Sequence, residues 1–196
     1  MKYDVIIVGA GPMGIYTAYE FMIKAPNMRV LLIDIGNDIY TRKCPLLENK
    51  IKHCPKDTLG KSGCKPACSM TSGFGGCGAF SDGKFNITGD FGGWMGEYIN
   101  DDEVIDLIRY VDSIQLQYGA PKELTDPNTK EVFEIEKKAI SVGLKLLRSE
   151  VRHLGTEINL KVLQNIYEAM KGKIDYKFQT TVNDIVVKDN KACGVI

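Results

Sequence analysis

A glycine pattern close to the N-terminus constrains the fold of this chain more than any other feature. Residues 3–8 form a short apolar run rich in β-branched side chains, typical of a strand buried on both faces. The turn Gly9-x-Gly11-x-x-Gly14 follows directly, and residues 12–24 then have the pattern of a helix. This order predicts a strand, a tight glycine turn and a helix whose N-terminus opens onto the end of the strand.

A second apolar run, residues 29–33, ends at Asp34, which lies 20 positions after Gly14. Strand, glycine turn, helix, strand and acid in this order predict a dinucleotide-binding β-α-β unit. Pro12 and Met13 open the helix, where unpaired N–H groups and the helix dipole attract phosphates. Asp34 is predicted to accept hydrogen bonds from both ribose hydroxyls of an adenosine, and its charge would repel a 2′-phosphate.

The rest of the chain divides into segments of different character. Residues 1–34 form the predicted nucleotide-binding unit, 35–99 are rich in glycine and cysteine, 100–150 are predicted to be a helical insertion, and 151–196 are predicted to return to the sheet. The predicted elements after residue 99 are a helix capped by Asn100, a polar helix at 130–140, a strand at 142–148, a helix capped by Thr156, a strand at 174–178 and a hairpin at 182–196 around Asp189-Asn190.

Composition excludes several function classes. Lys plus Arg and Asp plus Glu balance at 25 each, without a basic run, so nucleic acid and anionic membranes are not expected partners. No apolar run approaches the roughly 18 residues that indicate a membrane span. The N-terminus lacks the pattern of a signal peptide, so a cytoplasmic location is expected.

The sequence Val-Gly-Ala-Gly-Pro-x-Gly, with Asp34 beyond it, resembles the glutathione-reductase-like flavoprotein superfamily. The glycine pattern alone does not distinguish FAD from NAD, but this resemblance implies that the unit binds the ADP half of FAD. Residues 180–185 resemble the later strand that supplies adenine contacts, here at Val182. The implied fold class is α/β, a Rossmann-like FAD/NAD(P)-binding fold with a parallel sheet, a β-hairpin or meander insertion and a long glycine- and cysteine-rich loop.

Residues 71–88 contain the sequence Gly-Gly-x-Gly-x-x-Ser-Asp-Gly-Lys, which resembles a segment of bacterial FAD-dependent dehydrogenases. Residues 152–156 resemble another segment of that family. At the position of Cys77, in the first segment, members of the family more often have alanine. From the residue types, the segment suits a flavin wrap in which glycine backbone passes close to a ring or phosphate. A surface loop with a solvated turn is the alternative. The predicted contacts are backbone at Gly75, Gly76 and Gly78, ribityl hydroxyls at Ser81 and Asp82, and reduced flavin at Lys84.

Five of the six cysteines lie in the irregular segment. Reduced structural thiols are the favoured interpretation, and no metal site is assigned. A redox disulfide and an iron–sulfur or zinc site both stay open as alternatives. Both histidines, His53 and His153, are interpreted as structural. The five cysteines are Cys44, Cys54, Cys64, Cys68 and Cys77.

Together with these patterns, the resemblances imply an FAD-dependent oxidoreductase, with dehydrogenase as the expected reaction type and no catalytic residue or substrate assigned. NAD(P)H or another electron donor or acceptor is an expected partner, and a homo-oligomer is expected. The chain is expected to be the N-terminal portion of a larger protein, incomplete at the C-terminus and inactive alone. The alternatives are a non-catalytic FAD-binding sensor or accessory module, and an NAD(P)-binding dehydrogenase without flavin.

Overall fold

The computed structural model describes residues 2–55 and 63–196. The chain divides into two compact units, the first comprising Met1–Phe80 and Leu163–Ile196 and the second Ser81–Val162. The predicted irregular segment 35–99 includes residues 56–62, which lie outside the described residues. No helix within the described ranges is long and apolar enough to cross a membrane.

The described residues form helices and strands in a mixed α/β order. The α-helices are α1 (Pro12–Lys24), α2 (Asp101–Gln117), α3 (Lys130–Ser141) and α4 (Gly155–Met170). The strands are β1 (Val5–Val8), β2 (Val30–Ile33), β3 (Lys84–Ile87), β4 (Glu150–His153), β5 (Asp175–Lys177), β6 (Ile185–Lys188) and β7 (Lys191–Val195).

A three-stranded parallel sheet in the order β1-β2-β5 forms the centre of the first unit. Val5 pairs with Val30 and Val8 with Ile33, so the carboxyl ends of β1 and β2 lie side by side. All four residues of β2 are buried, which is why this run shows no polar alternation. The predicted parallel pairing of the first two strands is confirmed.

Helix α1 buries one stripe of side chains at the spacing of successive helical turns. Ile15, Ala18, Tyr19 and Met22 are buried, whereas Met13 is exposed. The helix ends at Lys24, before Pro26, as predicted. Burial of each large apolar side chain in the stripe stabilises the unit by about 1.5–3 kcal/mol.

An aromatic cluster connects the C-terminal half of α4 with β5 and the glycine-rich segment inside the first unit. The Tyr167 ring stacks on Tyr176 with centroids 4.7 Å apart, and Phe74 meets Tyr167 edge-on at 5.0 Å. Phe74 is completely buried. Such pairs contribute about 0.5–1.5 kcal/mol beyond the burial of their area.

The predicted C-terminal hairpin is present as the antiparallel pair β6-β7. Asp189 and Asn190 have φ values of 49° and 59°, the left-handed geometry of a two-residue hairpin turn. The strand begins at Ile185 and not at Val182, which lies ahead of the hairpin.

The second unit contains α2, α3 and the antiparallel pair β3-β4. The side chains of Asn100 and Thr129 cap α2 and α3 by accepting hydrogen bonds from the N–H groups of Glu103 and Val132. The predicted cap at Asn100 and the predicted polar helix are therefore confirmed. Strand β3 lies in the segment that was predicted to be irregular. Its first residue, Lys84, follows Gly83 in a sequence typical of a turn, and this pattern did not predict a strand.

The predicted strand at residues 142–148 is wrong. Gly143 adopts φ +75° directly after α3, and Val142 and Leu144 are 70% and 64% exposed, so this apolar run has no strand partner. The strand that forms is β4, because its residues pair with β3. Helix α4 begins at Gly155, one residue before the predicted cap at Thr156.

Candidate functional site

The glycine turn connects β1 to α1 at the carboxyl end of the parallel sheet. Gly9 adopts φ +100°, and its N–H donates to the Ile33 carbonyl at 2.7 Å. A Cβ atom on Gly14 would lie 1.8 Å from the Gly9 carbonyl oxygen. Glycine at position 14 therefore lets the helix approach the turn more closely than any other residue would.

Gly11 has a different reason to be glycine. Its φ is −71°, an angle that any residue adopts, and a Cβ atom built on it would meet no atom of the chain within 4 Å. Neither backbone strain nor internal packing therefore requires glycine here. The bare backbone at Gly11 borders open space, and a ligand such as a pyrophosphate can approach it without obstruction.

The N-terminus of α1 lies at this open space. No side chain caps the helix, and its first turn has no acidic residue, whereas side chains cap α2 and α3. The first-turn N–H groups of a helix have no intrahelical partners and carry the positive end of the dipole. This terminus is therefore suited to hold an anion.

Asp34 is half-buried at the end of β2, and its carboxylate accepts hydrogen bonds from three backbone N–H groups. Oδ2 accepts from Ala10 at 2.8 Å, and Oδ1 accepts from Gly36 at 2.7 Å and Gly73 at 2.8 Å. A carboxylate has about four acceptor sites, so one remains for a ligand hydroxyl. Asp34 therefore ties the glycine turn to the glycine-rich segment, a structural role additional to the predicted contact with ribose.

A cavity of about 250 Å³ opens beside Asp34 at the carboxyl ends of β1 and β2. Its walls combine apolar side chains with the Asp34 carboxylate and with the segment that precedes the hairpin. The structure thus brings Val182 and Asp34, predicted from distant parts of the sequence, to one cavity. The remaining lining residues are Val8, Gly9, Ile33, Ile35, Thr180 and Thr181.

The glycine-rich segment packs against the glycine turn within the first unit. The Gly75 N–H donates to the Ala10 carbonyl at 2.8 Å. A Cβ atom on Gly76 would lie 3.2 Å from Cα of Gly11, and one on Gly78 would lie 3.9 Å from Pro12. The three glycines predicted to serve a cofactor therefore lie beside the glycine turn.

The buried side chain of Arg42 is hydrogen-bonded to the backbone of this segment. Its buried guanidinium donates to the carbonyl oxygens of Ser69 at 2.6 and 3.0 Å, Phe74 at 2.6 Å and Gly76 at 2.8 Å, and it lies over the Phe80 ring. Burial lowers the pKa of Arg42, and the nearby Asp34 carboxylate opposes this shift. The sequence offered no periodic or motif signal for this arginine.

Ser81, Asp82 and Lys84 lie in the second unit. The Lys84 ammonium lies 2.7 Å from the Asp82 carboxylate, with both side chains more than half exposed, and Ser81 Oγ accepts a hydrogen bond from the Gly83 N–H at 3.2 Å. The hydrogen bond from Lys84 lowers the pKa of Asp82. Their contacts with ribityl and flavin groups stay predictions.

None of the six cysteines, all of which lie in the described residues, forms a disulfide. Cys77 is exposed in the 3₁₀ helix Gly76–Phe80, and the other four cysteines of the irregular segment are half-buried. Among the described residues, no three His, Cys, Asp or Glu side chains converge as a metal site would require. His53 and His153 are both exposed.

Comparison with protein-family models and with curated proteins finds no match. Solved structures do match. A 3-ketosteroid-Δ4-(5α)-dehydrogenase from Rhodococcus jostii RHA1, in complex with 4-androstene-3,17-dione, aligns with 98% of this chain at 11% identity and a TM-score of 0.52. Glycine oxidase from Bacillus cereus aligns with all of the chain at 13% identity and a TM-score of 0.45. Quinol fumarate reductase from E. coli also aligns with all of it, at 15% identity and a TM-score of 0.49.

The matches span only part of each solved protein. The aligned region is 41% of the steroid dehydrogenase, 52% of the glycine oxidase and 29% of the fumarate reductase. The chain thus spans about half or less of these proteins. Over that region the chain shares its overall fold with the steroid dehydrogenase.

Proposed function

We propose that this chain is the FAD-binding part of an FAD-dependent oxidoreductase, with dehydrogenase as the reaction type. The open backbone at Gly11, next to an uncapped helix N-terminus, carries this proposal, because the chain's own packing does not require glycine there. The adjoining cavity beside Asp34 supports it, as does the shared fold with a steroid dehydrogenase.

The residues of the first unit match the chemistry of the ADP half of FAD. The N-terminus of α1, with Pro12 and Met13, would hold the pyrophosphate, and the free acceptor site of Asp34 would take a ribose hydroxyl. Val182 would border the adenine, and the backbone at residues 75–78 would run beside the cofactor. Bound FAD would supply the ability to accept a hydride or single electrons.

The polar residues that follow the glycine-rich segment in the sequence are proposed to contact the flavin and its ribityl chain. Ser81 and Asp82 would bond ribityl hydroxyls, and the Lys84 ammonium would stabilise negative charge on the reduced ring. This assignment rests on the residue types and on the exposure of the Asp82–Lys84 pair to solvent. Released from Asp82, the ammonium is available to another anion.

Three further proposals concern the electron partner, the cellular location and the assembly of the whole protein. The whole protein would exchange electrons with NAD(P)H or another donor or acceptor, work in the cytoplasm of a bacterium and assemble as a homo-oligomer. The exposed apolar side chains at Ile185 and Val187 are consistent with further protein surface covering this unit.

Calorimetric titration of the whole protein with FAD, ADP, FMN and NAD⁺ tests the proposal, because this chain by itself is expected to hold FAD weakly or not at all. We expect FAD to bind, ADP to compete with it, and FMN, which lacks the ADP half, not to compete. FAD should bind at least tenfold more tightly than NAD⁺. Equal binding of FMN and FAD, or a preference for NAD⁺, would contradict an FAD site.

Gly11→Ala provides the residue-level test. An added methyl group meets no protein atom but would occupy the space proposed for the pyrophosphate, so FAD affinity should fall at least tenfold. Gly194→Ala is a matched control, because its Cβ also meets nothing within 4 Å but lies in the hairpin. Unchanged FAD affinity in Gly11→Ala would remove this turn from the site.

A further inference from the structure

A separate groove with a volume of about 570 Å³ lies wholly within the second unit. The segment 88–97 forms one wall and the first two turns of α2 form the other. Its size falls in the range of about 300–1,000 Å³ that is usual for small-molecule sites. None of the residues assigned to FAD lines it, so it is a distinct surface feature.

Exposed aromatic and apolar side chains surround this groove. Trp94 is 77% exposed and Met95 50% exposed, and both line it, whereas Phe91 and Tyr98 are exposed close by in the sequence. Large apolar side chains clustered at a surface generally mark a place where something binds. On the opposite wall, α2 contributes Val104, Ile105 and Ile108, so the groove has apolar surface on both sides.

The charges in the groove have a single sign. Asp90, Glu97 and Asp101 line it, and none of the described lining residues is lysine, arginine or histidine. Three carboxylates at an apolar groove repel anionic ligands and attract cations. A tryptophan ring adds to this preference, because the face of an indole attracts an ammonium group.

We propose that this groove binds a small organic cation, an amine or quaternary ammonium compound that carries an apolar group. The carboxylates of Asp90, Glu97 and Asp101 and the face of Trp94 would hold the ammonium, and the apolar part would lie against Val104 and Ile108. This inference is independent of FAD binding, because it uses only residues of the second unit that have no assigned part in the cofactor site.

Trp94 provides a direct readout, because it is the one tryptophan of the chain. The full chain is titrated with phenethylamine, 2-phenylethanol and phenylacetate while tryptophan fluorescence is recorded. These probes share a phenyl ring and chain length but are cationic, neutral and anionic. We expect saturable binding of phenethylamine, about tenfold tighter than that of the alcohol, weakening as salt is raised, and no binding of phenylacetate.

Two substitutions locate the effect. Asp101→Asn should reduce the preference for the amine over the alcohol about threefold or more, whereas Asp102→Asn, one residue along α2 and outside the groove, should leave it unchanged. Circular dichroism establishes that both variants are folded. Asp90→Asn provides a second test of the same kind in the other wall.

Three results would overturn the proposal. One is equal affinity for the three probes, or no fluorescence response to the amine at millimolar concentrations. Another is an equal loss of preference in Asp101→Asn and Asp102→Asn. The third is a fluorescence change that follows protein concentration without any probe, which would show that a second copy of the chain covers Trp94.

Discussion

Two glycines of the 9–14 turn are required for different physical reasons. Gly14 is required by the protein itself, since a Cβ atom there would lie 1.8 Å from the Gly9 carbonyl oxygen. Gly11 faces open space and has an ordinary φ. The requirement at Gly14 therefore belongs to folding, whereas only the proposed pyrophosphate contact would require glycine at position 11.

Gly14→Ala should therefore destabilise the chain, whereas Gly11→Ala should not. The clash at position 14 involves backbone that cannot move without separating α1 from β1. The free energy of unfolding should therefore fall by about 3 kcal/mol. The free energy of unfolding of Gly11→Ala should stay within about 1 kcal/mol of that of the natural chain. Alanine is a poorer N-cap residue than glycine, but it also lowers the entropy of the unfolded chain, and the two effects oppose each other. Urea unfolding followed by circular dichroism measures both, and equal midpoints would contradict the distinction.

The exposed pair Asp82–Lys84 supports a prediction about pH. The hydrogen bond from Lys84 lowers the pKa of Asp82, so Lys84→Met should raise that pKa toward the ordinary value of an aspartate. Because the folded-state pKa is depressed, the pair's contribution is present at neutral pH and is lost as pH falls through that pKa. Carboxyl NMR titration measures the change. Lys122→Met is the control, and a shift of Asp82 in that variant would contradict the assignment.

At the scale of elements, the glycine-rich segment depends on one buried side chain. The Arg42 guanidinium donates hydrogen bonds to the carbonyl oxygens of Ser69, Phe74 and Gly76. Each buried carbonyl left without a partner costs about 1–3 kcal/mol. The shape of this loop is therefore determined by a residue about 30 positions earlier in the chain.

Arg42→Met should loosen this segment. The apolar stem is kept while the donors are lost, so the free energy of unfolding should fall by about 3 kcal/mol. Cleavage by chymotrypsin after Phe74 and Phe80 should become faster. Lys43→Met, at an exposed neighbouring position, is the control. Equal cleavage rates in the two variants would show that Arg42 does not hold the loop.

Elements whose sequence signals are local could be predicted from the sequence. The unit β1-α1-β2 combines continuous apolar runs with a glycine turn, and the hairpin has Asp189-Asn190 in left-handed geometry. The prediction of a strand at 142–148 was wrong, because an apolar run becomes a strand only when a partner strand lies beside it. Strand β3 and the role of Arg42 depend on contacts distant in sequence, which a single chain does not display.

At the scale of the whole molecule, the candidate residues are distributed over two compact units. The glycine turn, Asp34 and Val182 belong to the first unit, and their convergence on one cavity follows from parallel strands that end at a common edge. Ser81, Asp82 and Lys84 belong to the second unit, although they directly follow the glycine-rich segment in sequence. Sequence proximity therefore did not predict membership of a compact unit.

A buried ion pair joins two elements of the second unit. Arg152 on β4 donates from Nε and Nη2 to both carboxylate oxygens of Asp112 on α2, at 2.6 and 2.7 Å, and from Nη1 to the Pro121 carbonyl. These bonds to Asp112 raise the pKa of Arg152. Both side chains are more than nine-tenths buried, so neither charge has water as an alternative partner.

Asp112→Ala should therefore destabilise the second unit selectively. Removing the carboxylate leaves a buried guanidinium without its counter-charge, a loss of about 3–5 kcal/mol. Hydrogen exchange should rise in α2, β3 and β4 but stay unchanged in β1 and β2, since those strands belong to the other unit. Arg109→Ala, which breaks an exposed pair with Glu150, should cost about 0–1 kcal/mol. A uniform rise in exchange across both units would show that the chain unfolds as one cooperative body.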